Sequence, residues 1–426
     1  MEVIMKTSVI GFPRIGTLRE LKFASEKYFR KEIEVKELLH TAELLRKEHW
    51  AKQKNTGINY ISSNDFSFYD MVLDTAVLLG IIPNRYKELH LSELDTYFAM
   101  ARGYQGDFGD VKALAMKKWF NTNYHYIVPE IDDNVSIKLS GNKIWNEYAE
   151  AKEQGIETKP VVIGAYTMLK LCRYTGKQSA ENYVEAMIKA YRELIEKCEE
   201  NQISWIQFDE PSLVQDMNKK DIELFHKIYD NLLTSIKTSK VLLQTYFGDI
   251  RDVYLDLIKM PFAGIGLDFI EGKETYNLIK EYGFPKDKLL FAGLINGKNI
   301  WKNHYEETLK ILSSLKDKEI QTVLSTSCSL LHVPYTLNHE EKLSQDYLSY
   351  FSFAEEKLVE LKELSILAND NDYHKNDLYQ RNTALFARDR KCDNDEVKNR
   401  LAGIIENDYI RLPIRSERQS VQKKAL

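Results

Sequence analysis

From its amino-terminal end to about residue 360 the chain alternates two textures. Short runs rich in β-branched and aromatic residues give way to long stretches in which apolar residues recur every three or four positions. Few architectures satisfy such alternation, because strands that each return through a helix lie parallel, and a parallel sheet needs both faces covered. Nine runs qualify as strands: VIGFP, NYISSND, NYHYIVP, VVIGAYT, WIQFDEP, VLLQTYFG, GIGLDFIEG, LLFAGLING and TVLSTSCS. A closed parallel barrel takes eight, so one of these must be irregular or peripheral. The stretches Ala180 to Glu200 and Asp221 to Ser239 segregate apolar residues from charges and are predicted to be sheet-covering helices. A length of 426 residues suits either two or three average domains or one barrel with insertions.

Beyond about residue 365 the strand signal stops and the chain becomes polar. Asp393, with Glu396 three residues on, is a candidate helix start, followed by a short apolar stripe of Val397, Leu401, Ile404 and Ile405. The last stretch, IRSERQSVQKKAL, has little to bury and is predicted to be a linker or tail.

Composition excludes several classes. Charged residues make up 29% of the chain, its net charge is -5, and the signs are interspersed, which argues against a nucleic-acid partner. The opening segment lacks the basic start and unbroken apolar core of a secretory signal, and Met5 is an alternative start. The most apolar stretch, Met71 to Ile82, is interrupted by Asp74 and Thr75 and is shorter than the ~20 residues of a bilayer span, so no membrane segment is expected. Cys172, Cys198, Cys328 and Cys392 are far apart and form neither a disulfide framework nor a zinc cluster, which suits a cytoplasmic protein. Cys198 continues the apolar series Tyr183, Met187, Tyr191, Leu194 and Ile195 and is expected on a buried helix face.

Several strand candidates end in polar turns: Pro13, Asn64-Asp65, Asp209-Glu210-Pro211, Asn296-Gly297 and Ser327-Cys328-Ser329. In a parallel barrel these turns gather at one mouth, where sites are built. After the first strand, Gly11-Phe12-Pro13-Arg14-Ile15-Gly16 leads into Arg19, Glu20, Leu21 and Lys22 at a helix start. Arg19 and Lys22 are expected on one helix face, and two cations beside helix-start amides suit the carboxylates of an anionic ligand, although the same spacing describes an ordinary solvated helix face. The glycine spacing is that of a phosphate loop, but Thr17-Leu18 replaces the required Lys-Ser/Thr pair, which excludes a nucleoside-triphosphate site.

The run from Lys117 to Tyr126 packs cations, aromatics and amides densely. It suits a ring-stacking wall with an anion contact, or equally a buried aromatic strand. Only one of the adjacent Asp209 and Glu210 can face the barrel mouth. An acid/base or ligand-orienting role and a structural ion pair or cap are both open for that pair. Cys328 and His332 lie four apart, but no H-x-C, H-E-x-x-H or second cysteine accompanies them, and packing is the simpler reading.

Taken together, GFPRIG with RELK, KKWFNTNYHYIVPE, IQFDEPSL, LLQTYFG, LLFAGLINGKNIW and STSCSLLHVP resemble cobalamin-independent methionine synthase, in that family's order, from about Ser8 onward. The resemblance implies a (β/α)8 barrel with insertions over residues 1–365, followed by a helical linker tail over 366–426. A second, catalytic barrel would lie beyond Leu426, in cis or in trans, and would hold the zinc and the homocysteine pocket. In this barrel Gln244 and Tyr246 stand where the catalytic barrel carries His and Cys, Asp268 lies near its glutamate position, and Cys328 matches its late cysteine. No metal, no cofactor and no catalytic residue is therefore expected in this chain. By the same resemblance Arg19, Glu20, Leu21, Lys22 and Lys118 contact 5-methyltetrahydropteroylpolyglutamate, notably its acidic tail. The implied function is half of an enzyme that moves a methyl group from 5-methyltetrahydropteroyltri-L-glutamate to L-homocysteine. The alternatives are a non-catalytic folate-binding or scaffold module and, less favoured, an independent barrel enzyme using Asp209 or Glu210.

Overall fold

The computed structural model describes residues 5–388 and 394–425. Eight parallel strands form the central sheet: β1 (Lys6–Ser8), β2 (Ile61–Ser63), β3 (Thr158–Ile163), β4 (Trp205–Asp209), β5 (Lys240–Gln244), β6 (Gly264–Asp268), β7 (Leu289–Ile295) and β8 (Thr322–Thr326). They pair in the order β1-β8-β7-β6-β5-β4-β3-β2. A parallel bridge between Ser8 and Tyr60 closes the ring. The fold is thus the (β/α)8 barrel expected, with insertions. Every residue of β3 and of β6 is buried, because one face meets the barrel interior and the other meets helices.

The surplus strand among the nine is NYHYIVP. Its residues His125–Ile127 pair antiparallel with Met116–Lys118, giving a hairpin inserted between β2 and β3. Aromatic and β-branched content marks a pleated, half-buried strand but carries no information about which partner it pairs with. VIGFP is also displaced. The barrel strand ends at Ser8, and Val9–Pro13 forms its exit loop, where the Ile10 amide donates to the Thr326 side chain and the Phe12 amide to Asp65.

Helix Ala180–Glu200 forms as expected and buries Tyr183, Met187, Tyr191, Leu194, Ile195 and Cys198. The other predicted helix runs Lys219–Leu233 and stops short of Ser239; Asn218 caps it by accepting the amides of Lys220 and Asp221. Helix Ala354–Ala368 packs on helix Tyr305–Asp317 and runs across residue 365. Helix Asp377–Phe386 packs there too, with Asn382 accepting the Tyr305 amide and donating to the Asn303 carbonyl. Farther on, helix Asp395–Ala402 is capped by Asn394, whereas the predicted cap Asp393 lies outside the described residues. The stripe of Val397, Leu401, Ile404 and Ile405 is exposed. Among the described residues no helix is long and apolar enough to cross a membrane.

Candidate functional site at the barrel mouth

The inserted hairpin lies over the carboxyl ends of the strands. Trp119, Tyr124, His125 and Tyr126 from the hairpin, Arg14 and Asp65 from the first two exit loops, Asp209 from the end of β4, and Tyr246, Ser329 and His332 from later exit loops line one cleft. The tip is folded by its own polar groups: the Trp119 amide donates to the Tyr124 carbonyl at 2.8 Å, and the Thr122 hydroxyl donates to the Trp119 carbonyl at 2.7 Å. Aromatic contacts seat it, with Tyr124 edge-on to His332 at 5.7 Å and Phe120 against Phe247 at 5.9 Å.

Beneath the cleft a buried chain of polar groups crosses neighbouring strands. Lys159 on β3 donates to the Val9 carbonyl at 2.9 Å and to the Gln207 side chain. Gln207 in turn donates to Asp209 Oδ1 at 2.7 Å, and the Tyr246 hydroxyl donates to Asp209 Oδ2 at 3.0 Å. Burial pushes the Asp209 carboxyl up and the Lys159 ammonium down, while the attraction between the two charges opposes both shifts. Alternation on β4 divides the adjacent acids. Asp209 lines the cleft, and Glu210 turns away to accept the amides of Tyr166 at 3.0 Å and Thr167 at 2.7 Å together with the Tyr229 hydroxyl. Glu210 therefore stabilises the start of helix Ala165–Leu171, where unsatisfied amides favour a carboxylate.

The positions compared with a zinc site do not fit a metal. Gln244 donates to the Thr245 carbonyl, Tyr246 is committed to Asp209, and Asp268 accepts three amides, those of Phe247, Ile270 and Glu271. Cys328 is buried, its thiol is pushed up by desolvation, and Gly297 lies so close that an added Cβ would stand 3.0 Å from its sulfur. His332 is driven down to about 4 by burial and by nearby Lys298, and it packs between Tyr124 and Phe247. Among the described residues no group of three or more His, Cys, Asp or Glu is placed to hold a metal ion. A tetrahedral site needs such convergence.

The five residues singled out for ligand contact have different surroundings. Leu21 is buried against Ala42, Leu45 and Phe66. Glu20 folds back to accept the Leu18 amide at 3.0 Å. Lys22 is exposed and 3.7 Å from Glu26. Arg19 does not share the Lys22 helix face: it is the residue before helix Glu20–Phe29, in the left-handed region at φ 64°. Lys118 pairs in register with His125 on the hairpin. Arg19 and Lys118 are exposed, and among the described residues neither side chain has a hydrogen-bond or ion-pair partner.

Sequence reasoning missed Arg14 and Asp70. The Arg14 guanidinium donates to the Ser67 and Tyr69 carbonyls and lies over the Tyr124 ring, tying the first exit loop to the second and to the hairpin. Asp70 caps helix Met71–Leu78 through the Leu73 amide at 2.9 Å and also takes the Ile127 amide at 2.9 Å, so it anchors the hairpin; burial raises its carboxyl to about 7. The run Asp70 to Leu73 before an apolar stretch was a cap signal open to sequence reading. Nothing local marks Arg14.

Known proteins bear on this geometry. The profile of the cobalamin-independent synthase N-terminal domain matches residues 6–320. The 5-methyltetrahydropteroyltriglutamate–homocysteine methyltransferase of Campylobacter jejuni subsp. doylei is 51% identical over 422 residues, which is 99% of this chain and 56% of the relative. Its counterpart in Lactococcus lactis subsp. cremoris is 51% identical over 423 residues, covering 99% and 55%. The chain thus spans little more than half the length of these relatives. A B12-independent methionine synthase of Shewanella sp., solved with selenomethionine, superposes with a TM-score of 0.58 at 16% identity over 86% of this chain and 98% of that one, a likeness of fold.

Proposed function

The chain belongs to the cobalamin-independent synthase family as its N-terminal domain, and from that premise we propose that it is the folate-holding half of a methyltransferase. In this reading a second barrel, in cis or in trans, carries the zinc and the homocysteine site, and both halves work in the cytoplasm. Methyl transfer runs from 5-methyltetrahydropteroyltriglutamate to homocysteine, the pair named in the relatives. This chain's part is to bind and orient. Residues 1–365 form the holding barrel and 366–426 the link toward the partner.

The observation that carries the reading is the pair of exposed, unpartnered cations, Arg19 and Lys118, on connections that leave the same end of the barrel. An acidic tail with several carboxylates suits spaced cations, because each charge-assisted contact adds to affinity and fixes orientation. Lys22, Glu20 and Leu21 belong to the same contact region, Leu21 by seating the helix that presents the cations. Calorimetry of Arg19→Ala, Lys22→Ala and Lys118→Ala with folate tri- and monoglutamates tests the proposal. Larger losses for the triglutamate are expected; equal losses for both would remove tail recognition from these residues.

The cleft residues favour a binding module over an independent enzyme for the chain alone. Glu210 is occupied as a helix cap, and Asp209 is held by Gln207 and Tyr246.

A further inference from the structure

At the tip of the hairpin, Asn121 donates to Glu271 Oε2 at 2.6 Å and accepts from Lys298 Nζ at 3.0 Å, while Lys298 and Glu271 form an ion pair with each other. The three residues come from three separate segments: the hairpin, the loop after β6 and the loop after β7. Lys298 also lies over the Phe247 ring, 5.4 Å from its centroid, in the loop after β5. We propose that Asn121, Glu271 and Lys298 form a clasp that positions Lys118 for the acidic folate tail. The proposal rests on the function proposed above.

Three observations converge on it. Lys118 has no partner of its own among the described residues, so its place depends on the short strand Met116–Lys118 and on whatever fixes the turn three residues further on. Neither the turn nor the loop it rests on is in a relaxed conformation: Phe120 in the turn and Phe247 in the loop after β5, whose rings meet, are both left-handed, with φ 49° and 74°. Bulky side chains rarely adopt that region, and it persists where surrounding contacts enforce it. Finally, the Glu271 and Lys298 side chains are only 26% and 25% exposed, so their ion pair is sheltered and better retained in salt than a fully solvated one. Asn121 contributes one donor and one acceptor, the complement a side chain needs to bridge a carboxylate and an ammonium at once.

The clasp also manages charge. Glu271 left without Lys298 would present a bare carboxylate on the rim where an anionic tail is held. Paired, it supports the hairpin without repelling that tail.

The test compares Asn121→Ala, Glu271→Ala and Lys118→Ala in the full chain. It reads hydrogen exchange at residues 119–127 without ligand and calorimetric affinity for folate tri- and monoglutamates. Asn121→Ala and Glu271→Ala are expected to speed exchange about tenfold, the equivalent of one to two lost hydrogen bonds, and to weaken the triglutamate several-fold more than the monoglutamate. Lys118→Ala is expected to weaken the triglutamate with exchange unchanged. Unaltered exchange in Asn121→Ala would overturn the clasp. Faster exchange with triglutamate affinity intact, while Lys118→Ala loses it, would overturn positioning. No effect of Lys118→Ala on the triglutamate would instead overturn the functional reading of that lysine, and positioning with it, whatever the exchange shows.

Discussion

Tyr246 donates its hydroxyl to Asp209 Oδ2 at 3.0 Å, joining the exit of β5 to the end of β4 beneath the cleft. Both side chains are buried, so neither can exchange this bond for one to bulk water. Tyr246→Phe leaves one carboxylate oxygen without its donor and should destabilise the chain by about 1–2 kcal/mol, the usual cost of an unsatisfied buried acceptor. Urea denaturation at neutral pH measures it. An unchanged midpoint would mean that the hydroxyl contributes nothing to holding Asp209.

Asp70 gives the chain a pH dependence of definite sign. Its folded carboxyl stands at about 7 against an ordinary 3.8, chiefly through burial. The folded state therefore keeps a proton that the unfolded chain releases, so its contribution is full below about 4 and is lost as pH rises toward 7. Glu210, raised to about 7, and Asp268, raised to about 6, act in the same direction. Stability should fall across this window, and Asp70→Asn should flatten part of the fall. Denaturation curves at intervals between pH 4 and 7.5 decide; identical slopes for both proteins would contradict the placement of Asp70.

Glu210→Gln should cost about 2 kcal/mol, because an amide offers one acceptor oxygen where the carboxylate receives the Tyr166 and Thr167 amides and the Tyr229 hydroxyl. Affinity for folate triglutamate should stay at its wild-type value, since Glu210 points away from the cleft. A variant that keeps its stability but loses the ligand would return Glu210 to the site.

Cys172, Cys198 and Cys328 should resist alkylation in the native chain at pH 8. All three are buried, and desolvation lifts the thiols of Cys172 and Cys198 to about 12 and that of Cys328 further still. Peptide mapping after timed iodoacetamide treatment reads this directly. Zinc titration should likewise find no stoichiometric site, with Cys328→Ser indistinguishable from wild type; one tightly held zinc lost in that variant would overturn the packing role of Cys328.

The barrel was legible because its strands are short, largely buried and regularly interrupted; β2, β4, β6, β7 and β8 fall within runs picked out from composition, while β3 and β5 overlap theirs and begin before them. The hairpin misled because Tyr124, Tyr126 and Ile127 have the content of a strand, and pairing direction is decided by tertiary neighbours. Of the site, Asp209 was visible as a strand-end carboxylate, and the turn of Asp209 inward and Glu210 outward follows from the pleat once β4 is placed. The clasp was not legible. Asn121 and Glu271 are 150 positions apart, and each alone looks like an ordinary surface residue.

Closure of the ring sets the order in which the protein can assemble. β1 has its ladder with β8, and the Ile10 amide reaches Thr326, 316 positions later. During synthesis the first strand must therefore wait for its β8 ladder until almost the whole barrel has emerged, with only its bonds to the segment around Tyr60 available earlier. Contacts of such long range form slowly and leave an open strand edge exposed meanwhile. β1 is also the shortest kind of strand, three residues with a single bridge to its other neighbour. A brief edge of that kind limits the template it offers to other nascent chains. The seam between β1 and β8 is thus the last part of the barrel to be sealed and the place where refolding yield will be decided.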